Sequence, residues 1–155
     1  MRSVKVSRFL LAIYLTVFIS SLAAQAPQPS PWIRVENKLN QNLRIDISTI
    51  KALNDSDIYI WALEVHKQPL LIEGIDKRIY KTKTYYILNS KLRRYSILEI
   101  VLYDSLNTVI KDFNYRKNLD QVSLKYNYPI IAASPVEAIL NKSTEYLARE
   151  NGEKH

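Results

Sequence analysis

Three groups of residues in this 155-residue chain have types and spacings that could do chemistry. Ser48-Thr49-Ile50-Lys51 reproduces the S-x-x-K spacing of serine acyl enzymes, which needs the serine at a helix start and partner motifs such as S-D-N or K-T-G. The sequence has neither partner, and the four residues follow a β-rich run. His66 is the second candidate, since the other histidine is the terminal His155. One imidazole without ligand-bearing neighbours builds neither a metal cluster nor a triad, and His66 reads as a surface residue at a strand end. Carboxylates are scattered, with no pair set apart by its surroundings. The chain has no cysteine, which removes a thiolate zinc site, a thiol nucleophile and a disulfide framework together. Its two glycines, Gly74 and Gly152, leave no room for a Gly-rich phosphate loop. The expectation is a non-enzyme with no cofactor and no metal.

The basic residues are the third group. Lys77, Arg78, Lys81 and Lys83 precede the apolar run Tyr85–Leu88, and Lys91, Arg93 and Arg94 follow it. If the second set lies in a hairpin turn, one set stands at each end of that strand. The bland reading is a solvated surface. The functional reading is a patch that grips an acidic partner, with Tyr80 and Tyr95 interleaved as flat contact surfaces. The formal net charge is +7, but residues 1–26 hold three basic and no acidic residues. Without them 19 basic residues face 15 acidic ones, a net +4. That mild basicity permits acidic polymers or surfaces as partners and does not require nucleic acid.

The elements that must position these residues follow from patterning. Arg2, Lys5 and Arg8, then the apolar Phe9–Ile19, then small residues to Ala26 give the layout of a secretory signal peptide over residues 1–26. Cleavage after Ala26, Ala24 or Ala23 fits, and an uncleaved anchor is the alternative, though the apolar run is short for a span. Gln25 stands where a lipoprotein would need cysteine. The chain is therefore expected to be exported, to periplasm or cell surface, with membrane contact only through the signal peptide. Residues 27–31, with three prolines, read as a stiff tether.

A single domain over 32–150 follows, with a polar tail at 151–155. Trp32–Glu36, Leu43–Ile47 and Ile58–Val65 alternate as strands, the last apolar on both faces. Lys67–Lys83 reads as a long irregular connection. Tyr85–Leu88, Ile97–Tyr103 and Val109–Phe113 form an antiparallel meander, expected at the centre of the sheet. In its middle strand Leu98, Ile100 and Leu102 share one face. Asn114–Tyr128 reads as irregular. Ser134 as N-cap, Pro135 at the first helical position and Glu137 three residues after the cap open a helix to about Arg149. Val136, Ile139, Leu140, Ser143, Tyr146 and Leu147 form its apolar stripe. The fold class is α+β: one antiparallel sheet of about six strands with a C-terminal helix on one face. A homodimer through an exposed sheet edge fits this layout.

The residues Trp32, Ile45 to Ile50, Asp57 to Trp61, Tyr85 to Asp104 and Pro129 to Leu140 together resemble the surface-adhesin protein E family. These are small exported proteins of Gram-negative bacteria, and the resemblance covers most of the chain after residue 31. It implies an antiparallel sheet with a C-terminal helix packed on it. It also implies adhesion to host extracellular-matrix or plasma proteins, such as vitronectin and laminin. The basic cluster Lys77, Arg78, Lys81 and Lys83, just before the motif strand, is the expected contact patch. Family members usually carry two cysteines, and by resemblance these would fall at Ser90 and Ser143, their bridge pinning the helix to the sheet. Serine at both marks them as former disulfide positions. A soluble periplasmic protein of structural or stress-related role, with no host ligand, is the alternative function.

Overall fold

The computed structural model describes residues 31–37, 42–53, 56–116 and 126–152. The expected signal peptide, tether residues 27–30 and residues 153–155 lie outside the described residues, as does most of the stretch expected to be irregular after Asn114. In chain order the strands are β1 (Trp32–Arg34), β2 (Leu43–Asp46), β3 (Lys51–Ala52), β4 (Asp57–Ile72), β5 (Ile75–Asn89), β6 (Arg94–Tyr103), β7 (Val109–Asn114) and β8 (Tyr128–Pro129). Helix α1 (Pro135–Gly152) closes the described chain. All strand pairs are antiparallel, in the order β1-β2-β4-β5-β6-β7, with β3 added to β4 and β8 to β6. The fold is the expected α+β sheet with one C-terminal helix, but the described residues form eight strands instead of about six.

The largest correction falls on Lys67–Lys83. It is not a connection but the end of β4, a two-residue loop and the start of β5. Gly74 takes φ +79 in that loop, a conformation glycine reaches without Cβ strain, so Ile72 and Ile75 can pair directly across it. Pro69 obscured the strand in the sequence. It is accommodated where the ladder shifts register between Val65 and Leu70, since a bulge tolerates a residue that cannot donate. Ladder partners from β2 stop at Glu64 and those from β6 at Lys81, so beyond these points β4 and β5 continue as a two-stranded arm.

The meander is present as β5-β6-β7, yet only β5 and β6 are interior, and β7 ends the main strand order. The β5–β6 turn holds because Asn89 Oδ1 accepts from Leu92 N at 2.7 Å while Asn89 Nδ2 donates to Asp57 Oδ1 at 2.6 Å. A register shift sets Tyr86 opposite Ile97 but Tyr85 opposite Glu99. That bulge at Leu98 breaks the simple alternation expected for β6.

The continuous register Asp57–Val65 against Asn89–Lys81 defines two faces. Ile58, Ile60 and Ala62 with Leu88, Tyr86 and Thr84 share one. Leu43 and Ile45 of β2 join them, and Ile139 and Leu140 of α1 cover them in one apolar core. The helix stripe is as the spacing predicts: Ile139, Leu140 and Ser143 are buried, and Val136 and Leu147 pack at the margin. Each fully buried Ile or Leu there contributes about 1.5–3 kcal/mol of transfer free energy. Loss of hydration pushes the phenol of Tyr86, partly buried against this core, up to about 12. The helix start differs by one residue from the expected reciprocal box. Ser134 Oγ accepts from Glu137 N at 3.2 Å, but Glu137 Oε2 accepts from Ala133 N at 2.7 Å. Its other oxygen takes the guanidinium of Arg93, tying the β5–β6 turn to α1.

Candidate functional site

Ser48 is the middle residue of a short 3-10 turn, Ile47–Thr49, that leads out of β2. Its hydroxyl donates to Asp46 Oδ1 at 2.6 Å and its amide to the same oxygen at 3.1 Å. The serine is thus part of an Asp-capped turn. His66 is not a surface residue at a strand end, because β4 continues six residues past it. Its side chain is 7% exposed, with Nε2 2.8 Å from Thr82 Oγ1 and Nδ1 3.5 Å from Glu64 Oε1. Among the described residues no group of three or more His, Cys, Asp or Glu stands close enough to hold a metal ion.

The basic residues separate into three kinds. Arg93 is paired with Glu137, and Arg94 donates from Nε to Tyr126 O at 2.5 Å and from Nη2 to Asn127 O at 2.8 Å. These two hold the turn and the β8 approach in place, so only Lys91 of that set stands outside such a role. Lys77 and Arg78 are exposed on the β4–β5 arm, and as neighbours in an extended strand they point to opposite faces. Lys81 and Lys83 lie at the base of the arm, both on the face opposite the helix, where each is half-buried.

That second face carries an aromatic cluster absent from the expected contact set. Trp61 stacks on Tyr85 with centroids 4.9 Å apart, and Tyr59 lies 6.2 Å from Tyr85. Lys83 Nζ sits 4.4 Å from the Trp61 ring centroid and 5.6 Å from that of Trp32. Arg116 lies 4.8 Å over Tyr85 and pairs with Glu99 at 2.6 Å. A cation over an indole face gains about 0.5–1 kcal/mol when exposed and about 2 when desolvated, so the rings fix where the Lys83 ammonium stands. Lys81 donates to Asn107 Oδ1 in the β6–β7 turn. That turn is built by Asp104 Oδ1, which accepts from Leu106 N and Thr108 N, with Asn107 at φ +63. Burial raises the phenols of Tyr85 and Tyr103, so both remain neutral hydroxyls near neutral pH.

Trp32, Leu63, Lys81, Lys83, Tyr103 and Asn107 line a cleft of about 240 Å³ on this face. Tyr80 and Tyr95, expected as the flat contacts, are not in it. Tyr95 lies on the helix side against Tyr86 and Tyr128. The alternation of Tyr59, Trp61 and Leu63 was legible, and so was that of Trp32–Glu36. What joins them is β2 lying between β1 and β4, a pairing no local pattern encodes. A larger groove, about 620 Å³, runs between the exit of β1 and the start of α1. Arg34 and Lys142 line it together with Glu36, Glu137 and Glu145, so it presents no single sign of charge.

The two serines stand apart from this face in kind. Ser90 donates from its amide and its hydroxyl to Ser56 O, at 2.9 and 3.3 Å. Ser143 is fully buried on the sheet-facing stripe of α1, its hydroxyl donating to Ile139 O at 2.8 Å. No helix among the described residues is long and apolar enough to cross a membrane.

No protein-family profile matches the chain. No curated protein matches it either. Among solved structures it is similar to Haemophilus influenzae protein E, with 17% identity and a TM-score of 0.48 over 81% of this chain and 92% of that one. A second crystal form of the same protein gives 18% identity and a TM-score of 0.48, covering 81% and 95%. Protein E from non-typeable Haemophilus influenzae gives 20% identity and 0.41, covering 58% of this chain and 64% of that one.

Proposed function

We propose that this chain is an exported, non-enzymatic binding protein of the adhesin E type. It contacts a host extracellular-matrix or plasma protein through Lys77, Arg78, Lys81 and Lys83. One observation carries the reading: β4 and β5 run past their neighbours and hold Lys77 and Arg78 exposed on an arm, with Lys81 and Lys83 at its base. A two-stranded arm offers cations from both of its faces, which suits a partner that closes around it. The sequence resemblance supplies the partner class, with vitronectin and laminin as first choices.

The test is a variant with all four residues changed to alanine, compared with the parent for binding to immobilised vitronectin and laminin. The variant should lose most of the binding, and parent binding should weaken as salt rises, because long-range attraction is screened within about 10 Å at 0.1 M. Equal binding by the two proteins would remove the patch assignment. Fractionation of the producing cell adds an independent check, since adhesion requires exposure at the surface.

A further inference from the structure

We propose that the cleft between Trp32, Leu63, Lys81, Lys83, Tyr103 and Asn107 is a subsite for an acidic saccharide, a sugar ring bearing a carboxylate or a sulfate. The inference stands apart from the protein-partner reading, because it uses the base of the arm and needs neither Lys77 nor Arg78.

Charge comes first. The cleft is lined by two lysines and by no carboxylate. Lys83 forms no salt bridge among the described residues, and its contacts are the rings of Trp61 and Trp32. A lysine ammonium is ordinarily a mobile, well-hydrated point charge on a flexible stem. Here the ammonium stands against two indole rings, so an arriving anion meets a cation whose ordering cost is already reduced. Of the carboxylates on the same face, Glu99 pairs with Arg116 and Asp46 accepts from Ser48, while Asp112, across β6 from Lys83 through Val101, acts on the Tyr103 phenol from outside the cleft lining.

Shape and chemistry then select the body of the ligand. About 240 Å³ is below the range of drug-sized pockets, roughly 300–1,000 Å³, and suits a single ring. Half-buried Trp32 and Tyr103 supply ring surface whose negative π face meets the electropositive C–H groups of a sugar. The neutral Tyr103 hydroxyl and the Asn107 side-chain amide supply donors for ring hydroxyls, with the Asn107 carbonyl already occupied by Lys81. A cation, aromatic walls and neutral hydrogen-bonding groups around a one-ring cleft are complementary to a hydroxylated acidic ring. An acidic peptide side chain would use the cation and leave the remainder unfilled.

The chain contains two tryptophans, Trp32 and Trp61, and both meet Lys83, so intrinsic fluorescence reads the site directly. The full chain is titrated with a sulfated glucuronate disaccharide, with its desulfated and carboxyl-reduced neutral counterpart, and with an acidic peptide. The proposal expects a saturable fluorescence change with the sulfated disaccharide and at least about tenfold weaker binding by the neutral one. Lys83→Met, which removes the charge and keeps an unbranched side chain beside the rings, should weaken the charged disaccharide to about the level of the neutral one. Lys77→Ala with Arg78→Ala should leave its binding within about twofold while weakening vitronectin. A folded Trp32→Phe variant, checked by its thermal melt, should reduce the affinity without abolishing the preference for charge. Saturation by the acidic peptide alone, equal binding of charged and neutral sugars, or no change on Lys83→Met would each overturn the subsite. Loss of vitronectin binding in the four-alanine variant bears only on the protein-partner reading.

Discussion

The two faces of the sheet are made from the same strands and solve opposite problems. On one face Ile58, Ile60 and Ala62 of β4 meet Leu43 and Ile45 of β2, and α1 seals them from water. Branched aliphatic side chains fill most of that space, and the buried Ser143 hydroxyl is satisfied by Ile139 O. On the other face the next residues along β4 are Tyr59, Trp61 and Leu63, and those along β5 are Lys81, Lys83 and Tyr85. No helix among the described residues covers them. Large amphipathic rings and lysine stems shield one another instead, with the charged ends left toward the cleft. Between Tyr59 and Leu63 of β4 and between Lys81 and Tyr85 of β5, a one-residue step therefore separates residues that hold the fold from residues suited to meet a partner, whereas Ile79 and Ile87, which flank that row on β5, are fully buried.

Substitution of neighbours tests this contrast most severely. Ile60→Ala on the helix face should cost about 2–5 kcal/mol, since it leaves a cavity in a close-packed core. Leu63→Ala, three residues on and half-buried on the open face, should cost less than about 1.5 kcal/mol. Urea unfolding midpoints measure both, and losses of similar size would show that the open face is structural too.

The tie between helix and sheet gives the next largest effect. If Ser90 and Ser143 mark former bridge positions, Ser90→Cys with Ser143→Cys should oxidise to an intramolecular disulfide and stabilise the fold by about 2–4 kcal/mol. The bridge requires Cα atoms no more than about 7 Å apart. Failure to crosslink under oxidant, read by thiol titration, refutes the alignment at those two serines and leaves the fold unaffected.

The helix start gives the smallest effect and a pH signature. Ser134→Ala should cost about 1 kcal/mol through loss of the cap. The Ala133 amide first, and then Arg93, hold the Glu137 carboxyl below its ordinary range. Its contribution is present above the unfolded carboxylate pKa and is lost as pH falls through the lower folded value. Glu137→Gln should therefore remove part of the loss of stability below about pH 4.5 while Arg93 loses its partner. An unchanged acid limb in thermal melts would separate Glu137 from the helix anchor.

Much of the architecture was legible because periodicity is local. The helix stripe from Val136 to Leu147, the Ser134 cap and the strands around Ile60 and Leu102 all appear where alternation or 3.6-residue spacing places them. The arm was not legible, because Pro69, the register shift before Leu70 and the run of charges on β5 erase alternation over that stretch. The bulge at Leu98 displaced the expected faces of β6 for the same reason.

The basic cluster was found as a run, but its division was hidden. Arg93 and Arg94 spend their charge on Glu137, Tyr126 O and Asn127 O, contacts 32 to 44 residues distant in sequence. The sequence by itself determined which residues prefer water and which prefer one another, and hence an α+β chain with one covered face. Only the tertiary structure decided which cations remain available and which rings they meet. Lys83 reaches Trp32 because β2 lies between β1 and β4, a matter of which strands pair at long range and not of any residue's own preference.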